Sequence, residues 1–395
     1  MADFFLHGVE VVEIDNGPRP IRTVKSSVIG LIGTAPEADE VVFPLNLPVL
    51  IAGSRLEAAK LGATGTLPAA VDGIFDQIGA MIVVIRVEEG EGDIATMANI
   101  VGGVDEETGK YLGVHAFLAA RSVVKVTPRI LIAPHFTHQK PNAANETVAN
   151  PVVAELVGIA ERLRAVIIVD GCNTNDADVV NHREDWGSSR LYIVDPWVKV
   201  LRDKDIVSEP PSARVAGLIA KIDTDRGFWW SPSNNVINGI LGTSRPVDFA
   251  LGDPHARANY LNENDVATII HEDGYRLWGN RTCSSDALWT FLSVRRTADM
   301  LNESLLQAHL WAVDRNITKT YVEDVSESVN AYLRHLTAQG AILGGRCWAD
   351  KELNSPASVQ EGKIYFNFDF TPPYPAEHII FRSHLVHNYI EEVFE

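Results

Sequence analysis

Asn150-Pro151-Val152-Val153-Ala154-Glu155-Leu156-Val157-Gly158-Ile159-Ala160-Glu161-Arg162-Leu163-Arg164-Ala165-Val166-Ile167-Ile168-Val169-Asp170 decides the fold class of this chain. Asn150-Pro151 opens a helix, because proline suits the first helical position. Val152, Val153, Leu156, Ile159, Ala160 and Leu163 then recur at helical spacing and form one apolar face. Residues 166–169 follow without a polar side chain, as expected of a strand covered on both faces. A helix feeding such a strand is the unit of an α/β layer with a mainly parallel sheet.

Working outward, similar apolar runs stand at 28–32, 49–51, 81–85, 130–133 and 191–194. Pro210-Pro211 opens another helix, with Val215, Leu218, Ile219 and Ile222 on one face. The α/β pattern therefore covers about 26–225. Beyond it the style changes. Residues 241–249 and 253–264 read as polar loops, and 275–279 as a strand end. Amphipathic helices are expected near 296–313 and 320–339, with Gly340 a helix stop. Ile364, Phe366, Phe368 and Phe370 alternate with polar residues, so 363–370 is a half-buried strand. Thr371-Pro372-Pro373-Tyr374-Pro375 ends it, and the β-prone stretch 378–386 follows. The other end mirrors this. Val9, Val11, Val12 and Ile14 lie in a lone strand-like run, closed by Asn16-Gly17-Pro18-Arg19-Pro20. A lone strand needs a partner, in its own sheet or in another chain.

Composition narrows the function. Of 395 residues, 34 are Lys or Arg and 52 are Asp or Glu, a formal net charge of −18. That opposes binding to nucleic acid or to anionic lipid, both of which need a basic face. No run reaches the ~20 apolar residues of a membrane helix. Met1 to Gly8 carries no signal-peptide pattern. Cys172, Cys283 and Cys347 are too far apart for a disulfide framework or zinc pattern, and a reducing compartment is expected. Phosphate-binding glycine motifs and common hydrolase motifs are missing. His135 and His138 have metal-ligand spacing but lack a second pair. Asp170 and Asp195 end two apolar runs, where open α/β sheets often hold a metal or substrate. Such an aspartate also serves simply as a turn or helix cap. Phe228, Trp229 and Trp230 suit packing or an interface. No catalytic residue, cofactor or metal is assigned.

The set of segments resembles the contractile tail sheath family, in its shorter myophage and R-type pyocin branch. Ser27-Val28-Ile29-Gly30-Leu31, Pro128-Arg129-Ile130-Leu131-Ile132-Ala133-Pro134, Gly227-Phe228-Trp229-Trp230-Ser231-Pro232-Ser233-Asn234 and Gly242-Thr243-Ser244-Arg245-Pro246-Val247 carry it. So do Asp273-Gly274-Tyr275-Arg276-Leu277-Trp278-Gly279-Asn280-Arg281-Thr282, Trp311-Ala312-Val313-Asp314-Arg315-Asn316-Ile317-Thr318-Lys319-Thr320 and Gly362-Lys363-Ile364-Tyr365. The resemblance implies a structural, non-enzymatic subunit that forms hexameric rings stacked as a six-start helix around an inner tube. Its contraction would drive the tube through a target envelope. The implied partners are other copies, the tail tube, the baseplate and the tail terminator, with no direct nucleic acid and no membrane. The implied location is a virion tail or tailocin particle, assembled in the bacterial host cytoplasm. The implied layout is an N-terminal arm at 1–22, an outer α/β domain at 23–245, an inner α+β domain at 246–373 and a C-terminal arm at 374–395. Val9, Val11, Val12 and Ile14 would pair in one neighbour; Ile379, Phe381 and Leu385 would pair in another. Ile364, Phe366, Phe368 and Phe370 would form the host strand, and Lys319 and Arg334 would face the tube. The alternative is a cytoplasmic α/β metal-dependent enzyme using Asp170 and Asp195.

Overall fold

Residues 20–143, 146–387 and 389 are described by a computed structural model. The expected N-terminal pairing residues Val9, Val11, Val12 and Ile14 lie outside the described residues. In chain order the main strands are β1 (Ile29–Thr34), β2 (Val49–Ala52), β3 (Met81–Val87), β4 (Ile130–Ile132), β5 (Val166–Asp170), β6 (Leu191–Val194), β7 (Asn235–Val236), β8 (Val266–His271) and β9 (Tyr275–Trp278). They form one nine-stranded sheet in the order β7-β9-β8-β6-β5-β4-β1-β3-β2. The central six, β8 to β3 in that order, are parallel; β2 at one edge and β9 and β7 at the other are antiparallel.

The longer helices are α1 (Leu67–Phe75), α2 (Asp93–Val101), α3 (Pro151–Leu163), α4 (Asp176–Glu184), α5 (Ser212–Asp225), α6 (Arg257–Glu263), α7 (Leu292–Ala308) and α8 (Lys319–Ala338). Because side chains alternate along a strand, each run feeds two cores. Ile29, Leu31, Ile82, Val84, Ile168 and Tyr192 pack with Leu67 and Ile74 of α1 and with Val215, Leu218 and Ile219 of α5. Ile32, Val83, Ile85, Ile167 and Ile193 pack with Ile100 of α2 and with Val152, Leu156 and Ile159 of α3. The run that reads as a helix and a doubly buried strand is α3 followed by β5.

A third core stands apart from this sheet. Met300 and Leu301 of α7 meet Val329, Tyr332, Leu333 and Leu336 of α8. A two-stranded antiparallel sheet, β10 (Gly344–Ala349) and β11 (Phe366–Thr371), covers them. Phe366, Phe368 and Phe370 pack there, partly buried, as their alternation with polar residues predicts. Phe228 is buried in this core and Trp229 leans on it.

Three expectations need correction. The expected division at 245/246 falls inside the main sheet, because β8 and β9 return to it from beyond residue 245. A seven-residue helix, α6, stands in the stretch read as loop, with Ala258 and Leu261 buried. Ile364 precedes β11 rather than lying within it. The β-prone stretch 378–386, expected to pair in another copy, has no ladder partner on its own chain among the described residues.

Candidate assembly interface

The β10–β11 pair has two edges, and they differ. Asp350 donates its N–H to the Tyr365 carbonyl at 3.0 Å. Bonded pairs recur every second residue of an antiparallel ladder, so the backbone groups of Phe366, Phe368 and Phe370 point away from β10. On the opposite edge the outward groups of Cys347 are taken up. Its N–H donates to Asn330 Oδ1 at 2.7 Å, and its carbonyl accepts from Asn330 Nδ2 at 3.0 Å. A side chain of α8 thus caps the β10 edge at Cys347, while the outward backbone groups of Phe366, Phe368 and Phe370 on the β11 edge have no hydrogen-bond partner among the described residues.

Beside β11 lies an apolar groove of about 300 Å3. Its walls are Leu305, His309, Ala312, Val313, Tyr321, Val325 and Val329, with Cys347, Ile364, Phe366 and Phe368 completing it. His309 Nδ1 lies 2.7 Å from the Leu305 carbonyl, and Tyr321 donates its hydroxyl to the Ala312 carbonyl at 3.2 Å. The polar groups of the walls are thereby directed inward, which leaves the groove apolar. Burial pushes the Cys347 thiol up, so it behaves here as a small apolar side chain.

The C-terminal segment carries the complementary chemistry. Arg281 grips Glu377 with two hydrogen bonds of 2.8 and 2.7 Å. The Arg281 guanidinium also stands over Phe291, whose ring meets Tyr374 edge-on. That fixes the chain as far as Glu377. No hydrogen bond or ion pair among the described residues holds 378–387. Ile379, Phe381 and Leu385 are 66%, 93% and 93% exposed. In an extended segment these three share one side.

The other candidates are accounted for by structure. Asp170 is fully buried and caps α5 from outside: its carboxylate accepts Ser212 N–H at 2.8 Å, Ser212 Oγ–H at 2.9 Å and Thr137 Oγ–H at 3.2 Å. Burial pushes its carboxyl up to about 7 against those bonds. Asp195 is also buried; it accepts Asn173 N–H at 2.9 Å and pairs with Arg245, which pairs in turn with Asp176. Both carboxylates serve helix and loop, which favours the capping reading over the metal-dependent one. His135 and His138 meet the Trp197 ring edge-on at 5.4 and 5.0 Å. Burial pushes the Cys172 thiol up to about 11, the opposite of a nucleophile's shift. Lys319 and Arg334 are both exposed on α8, paired with Glu323 and Glu327. Asn330, His309, Tyr321 and the Arg281–Glu377 pair escaped the sequence reading. An asparagine beside the apolar stripe of α8 was the one local signal.

Comparison with known proteins gives the family. The phage tail sheath protein central domain matches residues 109–283, and the phage tail sheath C-terminal domain matches 284–385. The tail sheath protein Gp18 domain III N-terminal region matches 26–87. A putative prophage major tail sheath protein of Pseudomonas aeruginosa (strain UCBPP-PA14) is 41% identical over 99% of both chains. The chain belongs to the phage tail sheath family. The tail sheath protein of Escherichia phage P2 is 37% identical, over 99% of this chain and 98% of its own. Among solved structures, the helical sheath of the anti-feeding prophage in its contracted state matches with a TM-score of 0.70, covering 96% of this chain and 99% of that one at 21% identity. The contracted sheath complex of an extracellular contractile injection system, PVC, matches at 0.69, covering 98% and 99% at 16% identity. Those two likenesses concern the fold. A structural sheath role and a place in a tail particle follow from the family. No helix among the described residues is long and apolar enough to cross a membrane.

Proposed function

We propose that this chain is the repeating subunit of a contractile sheath whose copies interlock by exchanging terminal strands. The observation that carries the reading is the pairing of an open β11 edge and apolar groove with an unheld apolar segment on the same chain. On its own chain the segment is exposed rather than seated in the groove, and a neighbour's copy can take that place. Residues 374–395 then act as the C-terminal arm and 1–22 as the N-terminal arm. Each added backbone hydrogen bond contributes a net ~0.5–1.5 kcal/mol, and burial of Ile379, Phe381 and Leu385 adds ~1.5–3 kcal/mol for each large side chain. One arm is thus worth several kcal/mol.

In this reading α7, α8, β10 and β11 form the inner unit and the nine-stranded sheet with its helices the outer one. Rings of six copies stack as a six-start helix around a tube, and a baseplate signal releases contraction. Lys319 and Arg334 face the tube. The arms stay paired while proline-containing linkers let the rings slide. The work is structural: no catalytic step is needed.

Deletion of 378–395 tests the interlock. Electron micrographs of the truncated product should show single subunits or disordered aggregates, and striated sheaths of normal length would refute the exchange. Deletion of 1–17 tests the other arm in the same way. Reversing the charges at Lys319 and Arg334 should shorten or deplete tube-templated sheaths, and unchanged length and yield would remove these residues from the tube contact.

A further inference from the structure

The contact between α7 and the main sheet adds buried charge to the apolar packing of Leu292 at the start of the helix. Arg129 and Arg190 each stand immediately before a parallel strand, β4 and β6, at the same end of the sheet. Arg190 grips Asp299 of α7 with two hydrogen bonds of 2.6 and 3.2 Å; Asp299 also accepts from Arg295 at 2.8 Å, and Arg190 also pairs with Glu161 at 3.0 Å. Arg129 pairs with Glu303, one turn further along, at 2.9 Å. A third pair points elsewhere: Arg296 of α7 grips Asp223 of α5 at 2.7 and 2.5 Å. Arg129, Arg190, Arg296 and Asp299 are no more than 5% exposed.

These arginines also reach the backbone. Arg129 donates to the Leu163 carbonyl, Arg190 to the Ala165 carbonyl at 3.0 Å, and Arg296 to the Ser26 carbonyl at 3.3 Å. Each carbonyl precedes a strand of the sheet. Two anchors thus stand two strands apart, roughly 10 Å at the usual spacing. The third sits on the helical layer covering one face. Three points not in line fix an orientation.

We propose that this ion-pair tripod sets the angle between the α7–α8 unit and the sheet, so that displacement of one unit is delivered undiminished to the other. An apolar contact is non-directional and accepts several near-equal packings. A two-pronged Arg–carboxylate grip is directional, and a slip of α7 leaves buried charges unpaired. Stability alone does not require this arrangement, because apolar residues of similar volume often replace a buried pair at no loss. The tripod's role is positional.

The test separates position from stability. Particles carrying the full chain with Arg190→Met and Asp299→Leu together are compared with the parent. The double variant should melt somewhat below the parent's temperature, because Arg295 loses Asp299 while keeping its place over the Trp289 ring. Its contracted sheaths, imaged by electron cryomicroscopy, should show at least a twofold wider spread of the angle between the two units, and a wider spread of sheath diameter. Arg190→Lys, which keeps the charge but loses the two-pronged grip, should widen the same spread with a smaller change in melting. If the double variant fails to fold, the lysine variant decides. Parent-like angle and diameter spreads in the folded variants would overturn the proposal.

Discussion

A Cβ placed on Gly217 of α5 would stand 2.8 Å from the Ile74 carbonyl oxygen of α1 and 3.0 Å from Ile74 Cα. Both atoms are backbone, so neither helix can yield without shifting on the sheet. Gly217→Ala is therefore expected to destabilise the fold by about 1–3 kcal/mol, read as a lower urea midpoint with an unchanged slope. His182 makes a second case. It is fully buried against Trp186, both ring nitrogens lack a hydrogen-bond partner, and burial pushes its pKa down to about 4. Asp185 pulls that value up, and Lys140 pushes it down. The unfolded chain takes up this proton near pH 6.5 and the folded chain only near 4. Stability is thus unaffected above 6.5 and falls as pH drops through the window from 6.5 to 4, by on the order of 3 kcal/mol. Asp170 works the other way: its raised folded value adds stability as pH falls from 7 toward 3.8. The test is accordingly a difference. Urea midpoints at pH 7 and pH 5 should change less favourably with acid in the parent than in His182→Gln, and equal changes would exclude this histidine as the source.

Among the elements, the arm's exit is the most exposed to test. The Arg281–Glu377 pair is about one-third exposed on each side, so it contributes no more than about 1 kcal/mol. Its value is in direction. Arg281→Glu or Glu377→Arg should each lower the yield of ordered sheath several-fold, and the two together should restore it in part, as counted in micrographs, because Asp265, 3.8 Å from Arg281, repels the exchanged carboxylate. Restoration failing would assign the anchor to the Phe291–Tyr374 contact instead. The same scale explains what could be read from sequence. The parallel strands were legible because burial on both faces removes every polar residue from 166–169 or 191–194. The β10–β11 pairing half was legible in the strict alternation through Phe366, Phe368 and Phe370. The boundary near 245 was misplaced because local pattern cannot report that β8 returns to pair beside β6 after a long excursion. The groove was invisible for a related reason, since its walls come from α7, the following turn, α8 and both strands. Buried arginines gave only a faint cue: Arg129 and Arg190 each flank an apolar run, where a charge must either reach solvent or find a partner.

At the scale of the molecule, charge acts before contact does. The net charge is −18, and residues 1–120 hold 17 acidic against 7 basic side chains, a net of −10. Copies approaching one another repel until salt shortens the range, to about 10 Å at 0.1 M. Light scattering should therefore record faster polymerisation at 0.3 M than at 0.03 M salt; a rate independent of salt would show that short-range contacts alone govern the approach. The groove beside β11 and the segment beyond Glu377 have one more consequence. They are unlike surfaces on one body, so joining them is a head-to-tail relation, which leaves an open filament wherever the rotation does not close a ring. A filament built this way has polarity. One extremity always displays vacant sockets and the other unclaimed plugs, so whatever starts it and whatever halts it must be two chemically different caps.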